Sequence, residues 1–136
     1  MKKLLSTNYS ALSFNISLFF LRVLPGIMML ANHGYDKLVH FAERKNKFMN
    51  FLGIGSTTTL ALVIFAEFFC AFLLIIGLFT RLSALPLVIT MGVALLKVHN
   101  GQIFGDGEDS ALYLSVFTAI LFVGPGKFSV DGIIGK

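Results

Sequence analysis

The chain has 136 residues, of which 56% are hydrophobic and 13% charged, and its formal net charge is +4. A soluble domain usually carries about 25% charged residues, so this composition excludes an ordinary soluble protein and indicates one integral membrane domain, residues 1–136. The single cysteine, Cys70, excludes a disulfide framework or a CxxC redox pair within the chain. With this hydropathy, the basic charge predicts contact with lipid head groups of the bilayer and not with nucleic acid.

A helix that crosses the membrane needs about 20 apolar residues, and four segments are candidates: 11–32, 57–79, 82–98 and 108–123. Between the first two, over about 38–52, apolar positions alternate with charged ones, which predicts a short amphipathic helix in the membrane interface. Backbone polar groups in lipid must be satisfied within the protein, which favours helices. The sequence therefore predicts an all-α fold, a bundle of four transmembrane helices with one short interfacial helix between helices 1 and 2.

The sequence contains only weak signals for the orientation of this bundle in the membrane. Lysine and arginine counts on the two membrane faces tie, so the positive-inside rule does not decide between them. The short connection at Thr80-Arg81 and the basic first flank favour both termini in the cytoplasm. Pro86 falls in the first turn of the third predicted span, where its missing N–H costs little.

Arg22 lies in the middle of the first apolar segment. On a helix it shares one face with Gly26, Leu30, His33 and Lys37, which follow at spacings of three or four residues. A charge at membrane depth costs about 2.5–3.5 kcal/mol on insertion scales, so it faces protein or water and marks a candidate functional site.

Glu67 lies near the midpoint of the second apolar segment, about as far into its span as Arg22 is into the first. In an antiparallel pair of helices the two residues reach similar depth, which predicts an Arg22–Glu67 ion pair. Pro25 cannot donate to the carbonyl of Leu21, and this frees an oxygen beside the arginine. Two interpretations stay open: the pair only fixes the packing of two helices, or it also contacts a ligand.

Further polar residues lie where the first and third spans end and the fourth begins, on one face of the membrane. They predict a polar pocket that runs from the interface to the middle of the bundle. The candidate ligand-binding residues are Arg22, Glu67, His33, Lys37, Lys97, His99 and Glu108. His33 and His99 are the residues that bis-histidine ligation would use. No HxxxH or ExxH spacing supports it, so we predict no metal site, and the sequence assigns no catalytic residue.

These features carry a family resemblance. The sequence resembles the DoxX family of small bacterial four-helix membrane proteins over nearly its whole length, about 18–134. The matching features, in chain order, are Arg22 with Gly26, residues 33–38, Glu67, residues 77–82, His99 and residues 124–131. The family's acidic residue at the start of the fourth helix corresponds to either Glu108 or Asp109, because the local spacing differs by about one residue.

The resemblance implies a subunit of a membrane oxidoreductase, of the thiosulfate:quinone oxidoreductase or oxidative-stress type, in the bacterial inner membrane. The pocket would take a quinone-like or small anionic ligand, and a protein partner would supply electrons. Arg22 would hold a ligand oxygen, Glu67 would orient Arg22 or move protons, and the histidines would relay protons. Two alternatives stay open, a non-catalytic scaffold that anchors a soluble redox enzyme and a small-solute transporter. Without inverted repeats, the transporter would require a homo-oligomer.

Overall fold

The computed structural model describes residues 1–135, which form helices joined by turns and include no strand. Three helices are long and apolar enough to cross a membrane: α1 (Ala11–Val39), α3 (Ser56–Ile76) and α4 (Thr80–Val98). The others are α2 (Phe41–Arg44), α5 (Glu108–Val123) and α6 (Val130–Ile133). The long helices expose apolar side chains outward. The chain is therefore an integral membrane protein, in which lipid covers those faces.

The first helix is longer than its apolar pattern predicted. Ser10 caps its start, because the Ser10 side chain accepts a 3.0 Å hydrogen bond from the backbone N–H of Ser13. The helix continues past residue 32, the predicted end, to Val39 and stops at His40, whose φ of −103° is not helical. The extra turns are polar, but Gly34 packs against the backbone of α3 and keeps them in contact with the protein.

α3 and α4 form a tight antiparallel hairpin. α3 ends at Ile76, and Gly77 takes a left-handed conformation with φ of 76°, in which a residue with a side chain would be strained. α4 begins at Thr80, two residues before its predicted start. Pro86 consequently lies in the second turn of α4 and not in the first, which corrects the sequence-based placement.

The connection from α1 to α3 is not one amphipathic helix over 38–52, as the pattern predicted. It contains the short helix α2 and a single 3₁₀ turn, Phe51–Gly53, with an extended residue, Asn50, between them. A continuous 15-residue helix would carry the chain about 22 Å away. The connection must instead return so that α3 can begin beside the end of α1, and it folds over that end of the bundle.

α5 has 16 residues, with the bounds expected from the sequence, and packs along α4. α3 lies between α1 and α4, and α1 also touches α5. The core where these helices meet consists of Met29, Cys70, Ala71, Leu74, Ala84, Leu87, Met91, Tyr113, Phe117 and Ile120. This core separates two polar regions at opposite ends of the bundle.

Candidate functional site

A buried ion pair joins α1 to α3 at the end of the bundle that the α1–α3 connection covers. The Nζ of Lys37 donates a hydrogen bond of 2.6 Å to Oε2 of Glu67. Glu67 is only 3% exposed. The helices approach closely because Gly34 has no side chain: a Cβ there would lie 2.4 Å from the carbonyl oxygen of Glu67.

Each of the three long helices contains a π-helical turn near this pair: Leu30–Gly34 in α1, Phe65–Cys70 in α3 and Ala94–Val98 in α4. The turns are closed by N–H···O bonds between residues five apart, such as the 3.0 Å bond from His99 N–H to the Ala94 carbonyl. Single π-helical turns are rare and occur frequently at functional sites. Here they hold His33 and Glu67 and end directly before His99.

Beside the ion pair lies a cavity of about 420 Å³, bounded by α1, α3, α4, the start of α5 and the α1–α3 connection. Its volume falls within the range of small-molecule sites. Its polar lining residues are His33, Lys37, Thr59, Glu67, Thr90, His99, Asp106, Asp109, Ser110 and Tyr113. The other walls are apolar, and Phe48, Met49 and Phe51 of the connection cover one side.

Several of these polar groups have no protein partner. Within residues 1–135, the side chains of His33, His99 and Tyr113 make no hydrogen bond. The His33 and Tyr113 rings touch edge to face, with centroids 5.6 Å apart, and Tyr113 stacks on Phe117. The rings are thus fixed by packing while their polar atoms stay available. Tyr113 is buried and the two histidines are half-buried, so their polar atoms can contact water or a ligand that enters the cavity.

Arg22 does not pair with Glu67, which corrects the sequence-based expectation. It is 1% exposed, and its guanidinium donates to the backbone carbonyls of Leu74, at 2.9 Å, Ile75 and Phe128. Two of these carbonyls belong to the last turn of α3, where backbone donors become few: that of Leu74 also accepts from Gly77 N–H at 3.1 Å, and the other is that of Ile75. The arginine therefore caps α3 and complements the negative end of its dipole.

The register of α1 against α3 explains this separation. Gly34 is the residue that meets Glu67, whereas Gly26 meets Ile75. Arg22 and Gly34 are twelve residues apart, which is about 18 Å along the helix axis. Arg22 therefore lies at the carboxyl end of α3, whereas Glu67 lies near the middle of that helix, and the charge of Arg22 does not line the cavity.

The carboxyl-terminal segment completes the structure around Arg22, a role that the sequence did not indicate. The carboxylate of Asp131 accepts hydrogen bonds from the backbone of Phe79 (2.9 Å) and from the backbone and hydroxyl of Thr80 (2.8 and 2.9 Å). A cation thus caps the end of α3 and an anion caps the start of α4. Segment 124–131, which follows the end of α5, thus also stabilises the hairpin of α3 and α4 through Asp131.

The seven candidate residues therefore fall into two groups. His33, Lys37, Glu67 and His99 line the cavity, whereas Arg22, Lys97 and Glu108 do not. Of the two acidic residues at the start of α5, Glu108 and Asp109, only Asp109 lines the cavity. Tyr113 was missed, although it follows Asp109 by one helical turn and shares its face. Binding of a ligand by these residues stays a prediction.

The residues that the structure describes contain no group of three or more His, Cys, Asp or Glu side chains arranged to hold a metal ion. His33 and His99 line the same cavity. Cys70 is a buried free thiol of the core.

The sequence was also compared with known proteins. The sequence profile of the DoxX family matches residues 17–100, which include most of α1, all of α3 and α4, and the covered end of the bundle. No curated protein matches the chain, and no solved structure does. Because the matched region covers more than half of the sequence and contains the Lys37–Glu67 pair, the chain belongs to the DoxX family.

Proposed function

We propose that the cavity binds the head group of a quinone-like molecule and that the protein is a membrane subunit of an oxidoreductase complex. The observation that carries the proposal is the set of polar groups without protein partners in the cavity, from His33, His99 and Tyr113. A quinone head group is flat and apolar apart from its carbonyl oxygens. The Tyr113 hydroxyl and an imidazole N–H are the donors that such oxygens need, and the apolar walls suit the ring.

Quinone reduction consumes two electrons and two protons, and forms a quinol. In this proposal, electrons come from a partner protein, because the one cysteine of the chain has no second thiol with which to form a redox pair. The protons reach the ring oxygens through Tyr113 or the histidines. The Lys37–Glu67 pair supplies an exchangeable proton at the closed end of the cavity, and Asp109 connects the site with its exposed side.

The charge of the cavity argues for a neutral ligand. One ammonium group, that of Lys37, faces the three carboxylates of Glu67, Asp106 and Asp109 among the lining residues. This excess of negative charge repels a small anion. The cation expected to hold an anion, Arg22, caps a helix elsewhere. We therefore favour the quinone-like ligand over the small anionic one.

We further propose that α5 also crosses the membrane, which makes a four-helix bundle with both termini in the cytoplasm of a bacterial cell. Its 16 residues span about 24 Å, and it packs along α4, an apolar helix long enough to cross. Reporter fusions test this: a fluorescent protein at the carboxyl terminus should be active, and an alkaline phosphatase at the same position should not. The reverse result would contradict the orientation.

Direct binding tests the proposed ligand. Purified protein in lipid nanodiscs should bind ubiquinone-0, the head group without a tail, saturably. Tyr113→Phe should weaken binding about tenfold, because a lost hydrogen bond is worth about 1.4 kcal/mol. The matched control is Tyr35→Phe, since Tyr35 is exposed and outside the cavity, and it should keep the wild-type affinity. Absence of saturable binding by the wild-type protein would contradict the proposal and favour the scaffold alternative.

A further inference from the structure

The cavity is open to the outside on two different sides. On one side lie polar residues that are exposed, Asp106 and Asp109. On the other side, three apolar lining residues of α3 and α4 are themselves exposed on the outer surface: Leu62 (56%), Ile89 (57%) and Val98 (53%). A side chain that both lines a cavity and lies on the surface marks an opening. The second opening is therefore apolar.

This apolar opening lies between α3 and α4. The two helices pack closely at the π-helical turn Phe65–Cys70, which contributes Glu67 to the cavity wall. Towards its amino end, over Ser56–Ile64, α3 packs against the Tyr35–Val39 end of α1. The antiparallel helices thus separate above the turn, and Leu62 and Ile89 border the gap.

The depth of the gap places it in hydrocarbon. Leu62 is six residues from the start of α3, and Ile89 is nine residues from the end of α4. These separations correspond to about 9 Å and 14 Å along the helix axes. Half of the hydrocarbon core is about 15 Å thick, so an opening at this depth faces lipid tails and not water.

The connection between α1 and α3 lies over the cavity above the gap. Phe48, Met49 and Phe51 line the cavity there. The connection is held by hydrogen bonds from the Ser56 hydroxyl to the Lys45 carbonyl (2.7 Å) and from Phe51 N–H to the Thr59 hydroxyl (3.1 Å). For a large apolar molecule, the route from the bilayer through the gap between α3 and α4 is therefore shorter than a route through this connection.

We propose that the gap between Leu62 and Ile89 is a lateral portal through which a membrane-dissolved ligand enters and in which its hydrocarbon tail stays. This inference rests on the proposed quinone site and narrows its ligand to tailed, membrane-borne quinones. The head group lies among His33, His99 and Tyr113, and the tail leaves between α3 and α4. The polar opening at Asp106 and Asp109 serves water and protons.

Two ligands with the same head group test the portal: ubiquinone-0 and decylubiquinone. Leu62→Trp narrows the gap, so it should weaken decylubiquinone binding in nanodiscs about tenfold and leave ubiquinone-0 binding within twofold. Leu96→Trp is the matched control, because Leu96 is 66% exposed on α4 but does not line the cavity. It should change neither affinity. Ile89→Trp repeats the test from the other border if Leu62→Trp fails to fold.

The outcomes separate the two proposals. Equal effects of Leu62→Trp and Ile89→Trp on both ligands, or no effect on either, would overturn the portal while the head-group site stands. Failure of the wild-type protein to bind ubiquinone-0 and decylubiquinone would overturn both. Ubiquinone-0 binding without any binding of decylubiquinone would show that the gap does not accept a tail, and would overturn the portal alone.

Discussion

Lys37 and Glu67 form an ion pair with Nζ and Oε2 2.6 Å apart, at the point where Gly34 lets α1 touch the backbone of α3. The pair lies between the hydrophobic core and the cavity, so its geometry serves both packing and the site. Its two members are not equivalent. The Glu67 side chain is 4% exposed and the Lys37 side chain 15%, which means that only the lysine can turn towards water.

This asymmetry predicts unequal effects of removing each charge. Lys37→Met leaves the Glu67 carboxylate buried without a partner and should lower the free energy of unfolding by about 3 kcal/mol. Glu67→Gln should cost only about 1 kcal/mol, because the Lys37 ammonium can extend to solvent. Chemical denaturation in detergent measures both. The control is Lys97→Met at an exposed position, expected within about 0.5 kcal/mol of wild type. Equal losses for the two variants would refute the asymmetry.

The contact at Gly34 predicts strong intolerance of any side chain. Gly34→Ala places a methyl group 2.4 Å from the Glu67 carbonyl oxygen, so the helices must separate, at a cost of about 3 kcal/mol. Gly92→Ala is the matched control, because a Cβ there meets nothing within 4 Å. It should be neutral or stabilise the helix by up to about 1 kcal/mol. Thermal unfolding of both variants checks this, and a stable Gly34→Ala protein would show that the close approach is wrong.

The position of Arg22 predicts a structural and not a ligand-binding role. Arg22→Gln removes donors from the buried carbonyl of Leu74 and the partly buried carbonyls of Ile75 and Phe128, and should cost about 3 kcal/mol. The protein that remains folded should bind ubiquinone-0 with an affinity within twofold of wild type. Arg81→Gln is the control: Arg81 also donates to helix-terminal carbonyls, but these bonds are exposed, and its loss should cost less than about 1 kcal/mol. A folded Arg22→Gln protein that no longer binds quinone would contradict this assignment.

The cap at the start of α4 predicts a graded series at Asp131. Asp131→Ala removes both carboxylate oxygens that accept hydrogen bonds from Phe79 and Thr80 and should cost about 2 kcal/mol, whereas Asp131→Asn keeps one oxygen and should cost about 1 kcal/mol. The measurement is the denaturant midpoint in detergent. Glu43→Ala, at an exposed acidic position of α2, should leave the midpoint unchanged. Identical losses for alanine and asparagine would indicate that the hydrogen bonds to the carboxylate do not stabilise the hairpin.

Much of the architecture could be predicted from the sequence, because membrane insertion depends on local hydropathy. The apolar segments became α1, α3, α4 and α5, and the helix limits differ mainly at the end of α1. His33, Lys37 and His99 were predicted to lie at one face of the membrane, in a pocket that continues to Glu67 in the middle of the bundle, and these four residues line one cavity. The prediction rested on the antiparallel arrangement alone, which brings the ends of α1 and α4 to the same level.

The partners of the charged residues could not be predicted in this way. Arg22 was predicted to pair with Glu67, because the two residues lie at similar distances from the starts of their apolar segments. Lys37 lies beyond the predicted end of the first span and was not considered as the partner of Glu67. The π-helical turns at Leu30–Gly34, Phe65–Cys70 and Ala94–Val98 also have no signal in helix propensity or periodicity.

The sequence by itself therefore determined which segments form apolar helices and that charges such as Arg22 and Glu67 face protein, since burying apolar surface and avoiding unpaired charge in lipid are local requirements. Only the tertiary structure decided which atoms satisfy those charges. Helix register depends on where backbones can touch, here at Gly34 and Gly26. Gly34, twelve residues after Arg22, is the residue of α1 that lies against Glu67. Arg22 therefore contacts the end of α3, and Glu67 pairs with Lys37 beside the cavity.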